Sequence, residues 1–382
     1  MRLFEITPQS FRNLSPESVF FGAGVTLIGG ENAQGKTNLL EAVAILCGQR
    51  SFRRAKPAEI ASGGERFAVS GRLRRGEDDE TLRVTWTREE GRSFFRGEKA
   101  VTFAEIGRLA PAVFLAPEHR ELLSGAPALR RRFLDRLVLG SRPAAADDLV
   151  RYERALKERN ALLARFSVNA STAGELEAWT EELVRAGAAV RRHRTLALAD
   201  WVGHFEPLAR DAGPEYSAVS VSYLGEAALH GRPESPGASP AEPKDGEESL
   251  RREFARVAPI ERRRGHTMAG PHRDDLVFSR GGRALAASAS AGEIHRMVSL
   301  IKLAEWQAVR DATGALPIFG VDEFEAGLSP AWADAFLAAL PEGATVLLTS
   351  AGDPARWKRR VAGVLEMREG RIVGRPRAVN AG

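Results

Sequence analysis

Residues 30 to 37 read Gly-Glu-Asn-Ala-Gln-Gly-Lys-Thr, a glycine, four residues, then Gly-Lys-Thr. Few short patterns constrain a fold as tightly, because this one works only where a strand runs into a loop and the loop runs into a helix. The flanks supply both. "VTLIGG" is a short apolar run that ends in glycines. "KTNLLEAVAILCG" carries Leu39, Leu40, Ala42, Val43 and Leu46 at helical spacing and stops at Gly48. In such a turn the backbone N–H groups point inward and hold phosphates. The helix that follows presents its positive end to the same anions. The pattern predicts Gly30, Glu31, Asn32, Ala33, Gln34, Gly35, Lys36 and Thr37 as the phosphate-binding set. Lys36 would reach the β- and γ-phosphates and the Thr37 hydroxyl would ligate Mg²⁺. The expected ligands are ATP and Mg²⁺.

A phosphate loop needs an acidic partner for its metal, and "LPIFGVDEFEAGLS" offers one. Leu316, Ile318, Phe319 and Val321 form an apolar strand that ends at Asp322-Glu323. An Asp at the carboxyl end of a buried strand holds Mg²⁺ through water. Glu323, directly after it, is placed to polarise an attacking water as general base. Lys36 and Glu323 are therefore the expected catalytic residues, and Thr37 and Asp322 the expected metal ligands.

Most of the chain lies between Lys36 and Asp322, so something is inserted into the phosphate-loop domain. At 382 residues the chain can hold two to three domains of the usual ~150 residues. From about Pro127 to Phe205 apolar residues recur three and four apart with charges between them, which predicts helices. No heptad run lasts four repeats, so a long coiled-coil arm is not expected. The stretch "GRPESPGASPAEPKDGEES" is proline-rich and lacks large apolar residues, which predicts a mobile loop near 226–248. The resulting division is an α/β head at 1–126 and 265–382, and a helical insert at 127–264.

"ASASAGEIHRMVSLIKLAEW" supplies a third element. Ser290 precedes a helix and Glu293 follows three residues later, a capping box. One reading stops at a well-capped helix. The other takes Ser290 and Gly292 as a second anion site at a helix N-terminus. A phosphate loop already covers one side of ATP, so that second site would act in trans, across a homodimer.

Composition narrows the partners. The single cysteine, Cys47, excludes an internal disulfide and a zinc cluster. It sits in an apolar run and reads as a buried small hydrophobe. No segment reaches the ~20 apolar residues of a membrane helix, and the N-terminus lacks a signal-peptide core, so a soluble cytoplasmic protein is expected. Net charge is +5, mildly favouring a nucleic-acid partner. Three clusters stand out: Arg130-Arg131-Arg132, Arg191-Arg192-Arg194 and Arg262-Arg263-Arg264. Each is either a solvated helix face or a phosphate contact, and no base-reading motif accompanies them.

The three elements, in this order, resemble the head domain of the ABC ATPase and SMC superfamily. More closely, the chain resembles the RecF family of bacterial DNA repair and recombination proteins, nearly end to end. "SFRNL" is similar to the family's early Phe-Arg-Asn segment, and "GENAQGKTNLLEA" to its Walker A region. "FLAPEHRELLSGAPALRRRFLD" resembles its Pro-Glu-Asp to Arg-Arg-x-Phe-Leu-Asp block. "GPHRDDL" is also RecF-like. "SAGEIHRMVSLIKLAE" and "VDEFEAGLS" occupy the signature and Walker B positions. Departures occur. The signature reads Ser290-Ala291-Gly292-Glu293 in place of Ser-Gln-Gly-Gln. Walker B reads Asp322-Glu323 in place of Asp-Asp. Ser329 replaces the final Asp of the D-loop. Pro117-Glu118-His119 replaces Pro-Glu-Asp, with Glu118 at the Q-loop position near the metal. Thr349 and Ser350 stand at the switch position.

The resemblance implies an ABC-type ATPase head with an inserted, mostly helical second domain. It implies a weak, DNA-stimulated ATPase that dimerises on ATP, binds gapped or junction DNA, and helps RecO and RecR load RecA. The alternative is an ABC-type subunit that energises a membrane or other protein partner, against which the long insert stands. A structural SMC-like tether would need the heptad arm that is missing.

Overall fold

The alternating strands and the continuously apolar strands of this sequence go to different sheets. The computed structural model describes residues 1–76, 78–166, 173–225, 246–325, 329–352 and 361–378. The expected mobile loop therefore lies outside the described residues, except for 246–248, which open a helix.

The chain forms two units: Met1–Arg120 with Ser290–Gly382, and Glu121–Ala289. In the first unit, β1 (Arg2–Gln9), β2 (Val19–Phe20), β4 (Arg66–Arg75), β5 (Asp78–Thr87), β6 (Gly91–Arg96) and β7 (Lys99–Val101) make an antiparallel sheet ordered β2-β1-β4-β5-β6-β7. A second sheet is ordered β15-β14-β3-β13-β12-β8. It contains β3 (Val25–Gly29), β8 (Ala112–Leu115), β12 (Ile318–Val321), β13 (Val346–Thr349), β14 (Gly363–Arg368) and β15 (Arg371–Ala378). Its strands run parallel except for β15, which pairs antiparallel with β14. Every residue of β12 and β13 is buried, which is why these strands read as unbroken apolar runs.

Helix α1 (Lys36–Leu46) packs on β4 and β5 of the antiparallel sheet and on β12 and β13 of the parallel one. Covered from both sides, it is apolar around most of its circumference. Its Leu39, Leu40, Val43, Ile45 and Leu46 sit in one core with Leu3, Ile6, Phe67, Val69, Phe114 and Ile318. Helices α2 (Pro57–Ile60) and α3 (Phe103–Leu109) complete the N-terminal part of this unit.

The second unit holds α4 (Glu121–Ser124), α5 (Pro127–Ser141), α6 (Ala146–Phe166), α7 (Ala173–Ala212), α8 (Pro214–Ser217) and α9 (Gly246–Arg264). It also holds a small sheet, β11-β10-β9, from β9 (Val219–Leu224), β10 (Asp275–Arg280) and β11 (Arg283–Ala284). Tyr152, Leu183, Val184, Val190, Leu250 and Phe254 form its core. Because β10 pairs antiparallel with β9, the segment 265–289 groups with this unit and not with the head. The chain re-enters the first unit at Ser290, which opens α10 (Ala291–Thr313); α11 (Pro330–Ala338) follows. Among the described residues no helix is long and apolar enough to cross a membrane.

Candidate functional site

Four adjacent parallel strands, β3, β13, β12 and β8, end side by side, and the expected site residues follow their carboxyl ends. Val321 is in register with Leu348 and Leu115, and Thr349 with Ile28. The glycine loop leaves β3, Thr349 closes β13, Asp322 follows β12, and the turn Pro117–Arg120 follows β8. Crevices beyond the carboxyl ends of such strands are where open α/β sheets take ligands.

The loop needs its glycines for two physical reasons. Gly30 has φ of 135°, and a Cβ there would lie 2.4 Å from the Met367 carbonyl oxygen. Gly370, in the turn after β14, passes so close to the Asn13 carbonyl that a Cβ would be 1.8 Å from it. That turn is bolted to the loop. Glu369 N donates to Gln34 Oε1 at 2.6 Å and Gly370 N to the Gln34 carbonyl at 2.9 Å. Lys36 Nζ lies back over the loop and donates to the carbonyls of Gly30 at 2.7 Å and Glu31 at 2.6 Å. Glu31, Asn32 and Ala33 are exposed on the rim.

Thr37 Oγ1 donates to Asp322 Oδ1 at 2.9 Å, and Thr349 Oγ1 donates to the same oxygen at 2.6 Å. The Asp322 backbone is held as well, its N–H donating to Leu115 O at 2.8 Å. Glu323 is exposed and adopts φ of 50°, a left-handed conformation uncommon outside glycine. Its N–H donates to Thr349 Oγ1 at 2.8 Å. Burial pushes the Asp322 carboxyl up, against the hydrogen bonds from Thr349 and Thr37, and Glu323's charge pushes the same way. Burial likewise pushes Glu118 up, with further pushes from Asp322 and Glu323, and pulls Lys36 down against the attraction of both.

Asp322 and Glu118 lie in a poorly solvated space that a cation would relieve. Glu118 Oε2 is buried without a hydrogen-bond partner. Thr37 and Asp322 add two hard oxygen donors, so the residues fit Mg²⁺. Among the described residues no group of three His, Cys, Asp or Glu could hold a metal unaided.

Ser290 caps α10 in a full capping box: its side chain accepts from Glu293 N at 3.2 Å while Glu293 Oε2 accepts from Ser290 N at 2.8 Å. Ser290 is exposed. A Cβ on Gly292 would meet only Arg296 NH2, at 4.0 Å, so the face above it is open. No hydrogen bond among the described residues joins Ser290 or Gly292 to the glycine loop. Ala326–Leu328 of the D-loop lie outside the described residues. Ser329 caps α11 by accepting from Trp332 N at 3.3 Å.

Sequence reasoning missed two supports of the loop. Arg12 has φ of 51° and grips the fully buried Glu41 of α1 through Nε at 2.9 Å and NH2 at 3.1 Å. The "SFRNL" segment thereby braces the helix behind the phosphate loop. Arg53 donates to Asn38 Oδ1 at 3.1 Å, and its charge acts on both Asp322 and Glu118.

The arginine clusters divide internally. Arg130 makes a two-pronged pair with Asp275, at 2.7 and 2.8 Å, and Arg131 donates to Asp274 O at 2.9 Å. Arg191 bridges Asp274 and Glu253, and Arg194 reaches Asp135 and Pro271 O. The "GPHRDDL" segment is thus the hub of the second unit: Tyr223 OH also donates to Asp274 Oδ2 at 2.6 Å, and Tyr152 OH to His272 Nδ1 at 2.6 Å. Arg132, Arg192, Arg263 and Arg264 stand differently, as does Arg256 on α9. They are exposed and make no ion pair among the described residues.

Residues 5–160 match the AAA domain family. The chain is 34% identical over 334 residues to the DNA replication and repair protein RecF of Magnetococcus marinus, covering 85% of this chain and 84% of that protein. It is 36% identical over 335 residues to the RecF of Geobacter sp. strain M21, with 86% of each covered. A solved structure of the recombination mediator protein RecF-ATP in the RecFOR pathway superposes with a TM-score of 0.88 at 24% identity, covering 99% of this chain and 98% of that one. An SMC head domain with an extended coiled coil from Pyrococcus furiosus, bound to the C-terminal domain of ScpA, gives 0.52 at 15% identity, over 99% and 96%. At these identities the two structural matches identify the fold alone, that shared by RecF and the SMC head.

Proposed function

The chain belongs to the RecF family of DNA replication and repair proteins, and on that premise we propose that it is an ATP-driven switch for DNA binding. ATP would occupy the glycine loop. Two copies would then close on two nucleotides, and the closed dimer would hold gapped or junction DNA in the cytoplasm. The observation that carries this reading is the convergence of Lys36, Thr37, Asp322 and Thr349 at the carboxyl ends of adjacent parallel strands.

The geometry supports a role for each residue. Lys36 is already desolvated and held by loop carbonyls, and would exchange them for the β- and γ-phosphates. Thr37 and Asp322 would hold Mg²⁺, which when bound neutralises charge on the phosphate oxygens. Glu323 would orient the attacking water, fixed in its unusual backbone conformation by Thr349. Ser290 and Gly292, open to solvent, would meet the second copy's nucleotide. Hydrolysis would be slow and would reset the switch. DNA would be read through its backbone, with the exposed arginines of α9 as the contact surface. By the same family premise, the partners are RecO and RecR, and the outcome is RecA loaded on gapped DNA.

The test is the mass of the protein in solution with and without ATP, repeated with gapped DNA. ATP should promote dimers, and dimers should bind DNA more tightly than monomers do. Ser290→Arg should leave ATP binding intact and block dimerisation. A monomer under every condition would overturn the switch, and normal dimerisation of Ser290→Arg would remove the signature from the interface.

A further inference from the structure

Resting on that reading, we propose that Arg120 and His295 form a positioning pair that ties the turn beside the nucleotide site to the N-terminal end of α10. Arg120 Nε and NH2 both point at His295 Nδ1, at 3.1 and 3.0 Å. His295 is only 5% exposed. Two donors on one ring nitrogen require its lone pair, so the ring proton sits on Nε2 and the imidazole is neutral. Burial, with Arg120's charge, holds its pKa down to about 4, which agrees.

Each end of the pair leads to a functional element. Arg120 is the last residue of the turn Pro117–Arg120, which also carries Glu118. The turn is tight: His119 N donates to Ala116 O and Ala116 N to His119 Nδ1, both at 2.9 Å. The strand before it gives its Leu115 carbonyl to Asp322. Glu118 Oε2 is buried on this turn without a hydrogen-bond partner, so a cation arriving beside it changes the forces on the turn. At the other end, His295 lies in the second turn of α10, one turn beyond Ser290 and Gly292. From Met297 to Trp306 every residue of α10 is buried, so the helix follows its anchor as a rod.

The pair also spans the two points where the chain leaves and re-enters the head. The chain departs after Arg120 and returns at Ser290. Both crossings are therefore stapled, on the head side, by one guanidinium-to-imidazole contact. A carboxylate partner would make this contact far stronger. A neutral acceptor gives a bond that a shift of the turn can break.

The test uses the full chain and three variants: Arg120→Leu, His295→Leu and His295→Asn, whose Oδ1 can replace Nδ1 as acceptor. The readouts are affinity for a fluorescent ATP analogue, ATP-dependent mass, and hydrogen exchange of residues 290–296 with and without a slowly hydrolysed ATP analogue. Both Leu variants should bind nucleotide within twofold of the parent. They should lose the nucleotide-dependent change in exchange at 290–296, and dimerise at least tenfold more weakly. His295→Asn should restore most of both. The pair carries no signal if the parent shows no nucleotide-dependent exchange change there. It carries none, equally, if the Leu variants keep that change, or lose nucleotide affinity in step with dimerisation. A parent that shows the exchange change but stays monomeric with ATP would sink the dimer reading and leave the pair standing.

Discussion

The Thr349 hydroxyl donates to Asp322 Oδ1 at 2.6 Å. The same oxygen atom of Thr349 accepts from Glu323 N at 2.8 Å, so one side chain at the end of β13 fixes both acidic residues that follow β12. Thr349→Val removes donor and acceptor while keeping shape. Hydrogen bonds to charged groups contribute about 1.5–3 kcal/mol, and each ~1.4 kcal/mol off transition-state stabilisation is tenfold in rate. ATP turnover should fall at least about tenfold in Thr349→Val, with nucleotide affinity changed much less. Thr349→Ser should keep most of the rate. Steady-state turnover beside equilibrium binding separates the two effects, and an unchanged rate in Thr349→Val would mean Thr349 has no part in placing Glu323.

Lys36 is satisfied by loop carbonyls before any nucleotide arrives. Lys36→Ala removes those bonds and the cation for the phosphates. At about 1.5–3 kcal/mol for the charged contacts, ATP affinity should drop about ten- to hundredfold. The fold should persist, because α1 is anchored by its apolar residues and alanine is a strong helix former. Calorimetric titration with ATP checks the first part and circular dichroism the second. Equal affinity for Lys36→Ala and the parent would contradict the phosphate role.

How far the sequence speaks for itself depends on whether the signal is local. Gly30 to Thr37 and the strand ending at Asp322 carry their own context, and the meeting of Thr37 with Asp322 follows from the two motifs alone. Thr349 stands at the switch position, but its double grip on Asp322 and Glu323 depends on the register of β13 with β12, which no local pattern encodes. The arginine clusters are less legible still. Arg130 and Arg191 look like solvated helix charges until Asp274 and Asp275, far along the chain, are brought against them. The later edge of the second unit is hidden for the same reason: β10 pairs with β9 across the proline-rich stretch, and strand pairing is a long-range fact. Arg12 is the sharpest case, since its contact with Glu41 needs both a left-handed backbone at Arg12 and the seating of α1.

Two histidines, the half-buried His272 and the buried His295, make stability depend on pH. His272 accepts from Tyr152 OH through Nδ1 and faces Thr267 O through Nε2. Its pKa is held down to about 4, first by burial, as is that of His295. Tyr152 adds no charge, while Arg273 and Arg131 oppose protonation of His272 and Asp274 favours it. Folded-state values below the unfolded ~6.5 mean that the unfolded chain binds more protons between the two. Stability is therefore full above about 6.5, falls as pH drops, and stops falling from this cause below about 4. Each pKa unit is worth ~1.4 kcal/mol, so each histidine can cost a few kcal/mol. Urea unfolding at pH 7 and pH 5 should show a smaller loss in His272→Gln than in the parent. Equal losses would mean that His272 charges in the folded state as readily as in the unfolded one.

The two kinds of arginine should answer mutation in opposite ways. Arg191 holds Asp274, whose side chain has no exposure, together with Glu253. Arg191→Ala leaves a buried carboxylate uncompensated, a change that costs about 3–5 kcal/mol. It should lower the unfolding midpoint before it touches DNA binding. Arg256, Arg263 and Arg264 project from α9 into solvent, where a substitution moves stability by about 0.5 kcal/mol at most. Reversing Arg256 and Arg263 to Glu should leave unfolding and ATP binding unchanged. It should weaken gapped-DNA binding across all sequences alike. A plot of log affinity against log salt should then flatten by about one for each phosphate that is no longer neutralised. If DNA binding and its salt slope survive the double reversal, the DNA path does not cross α9.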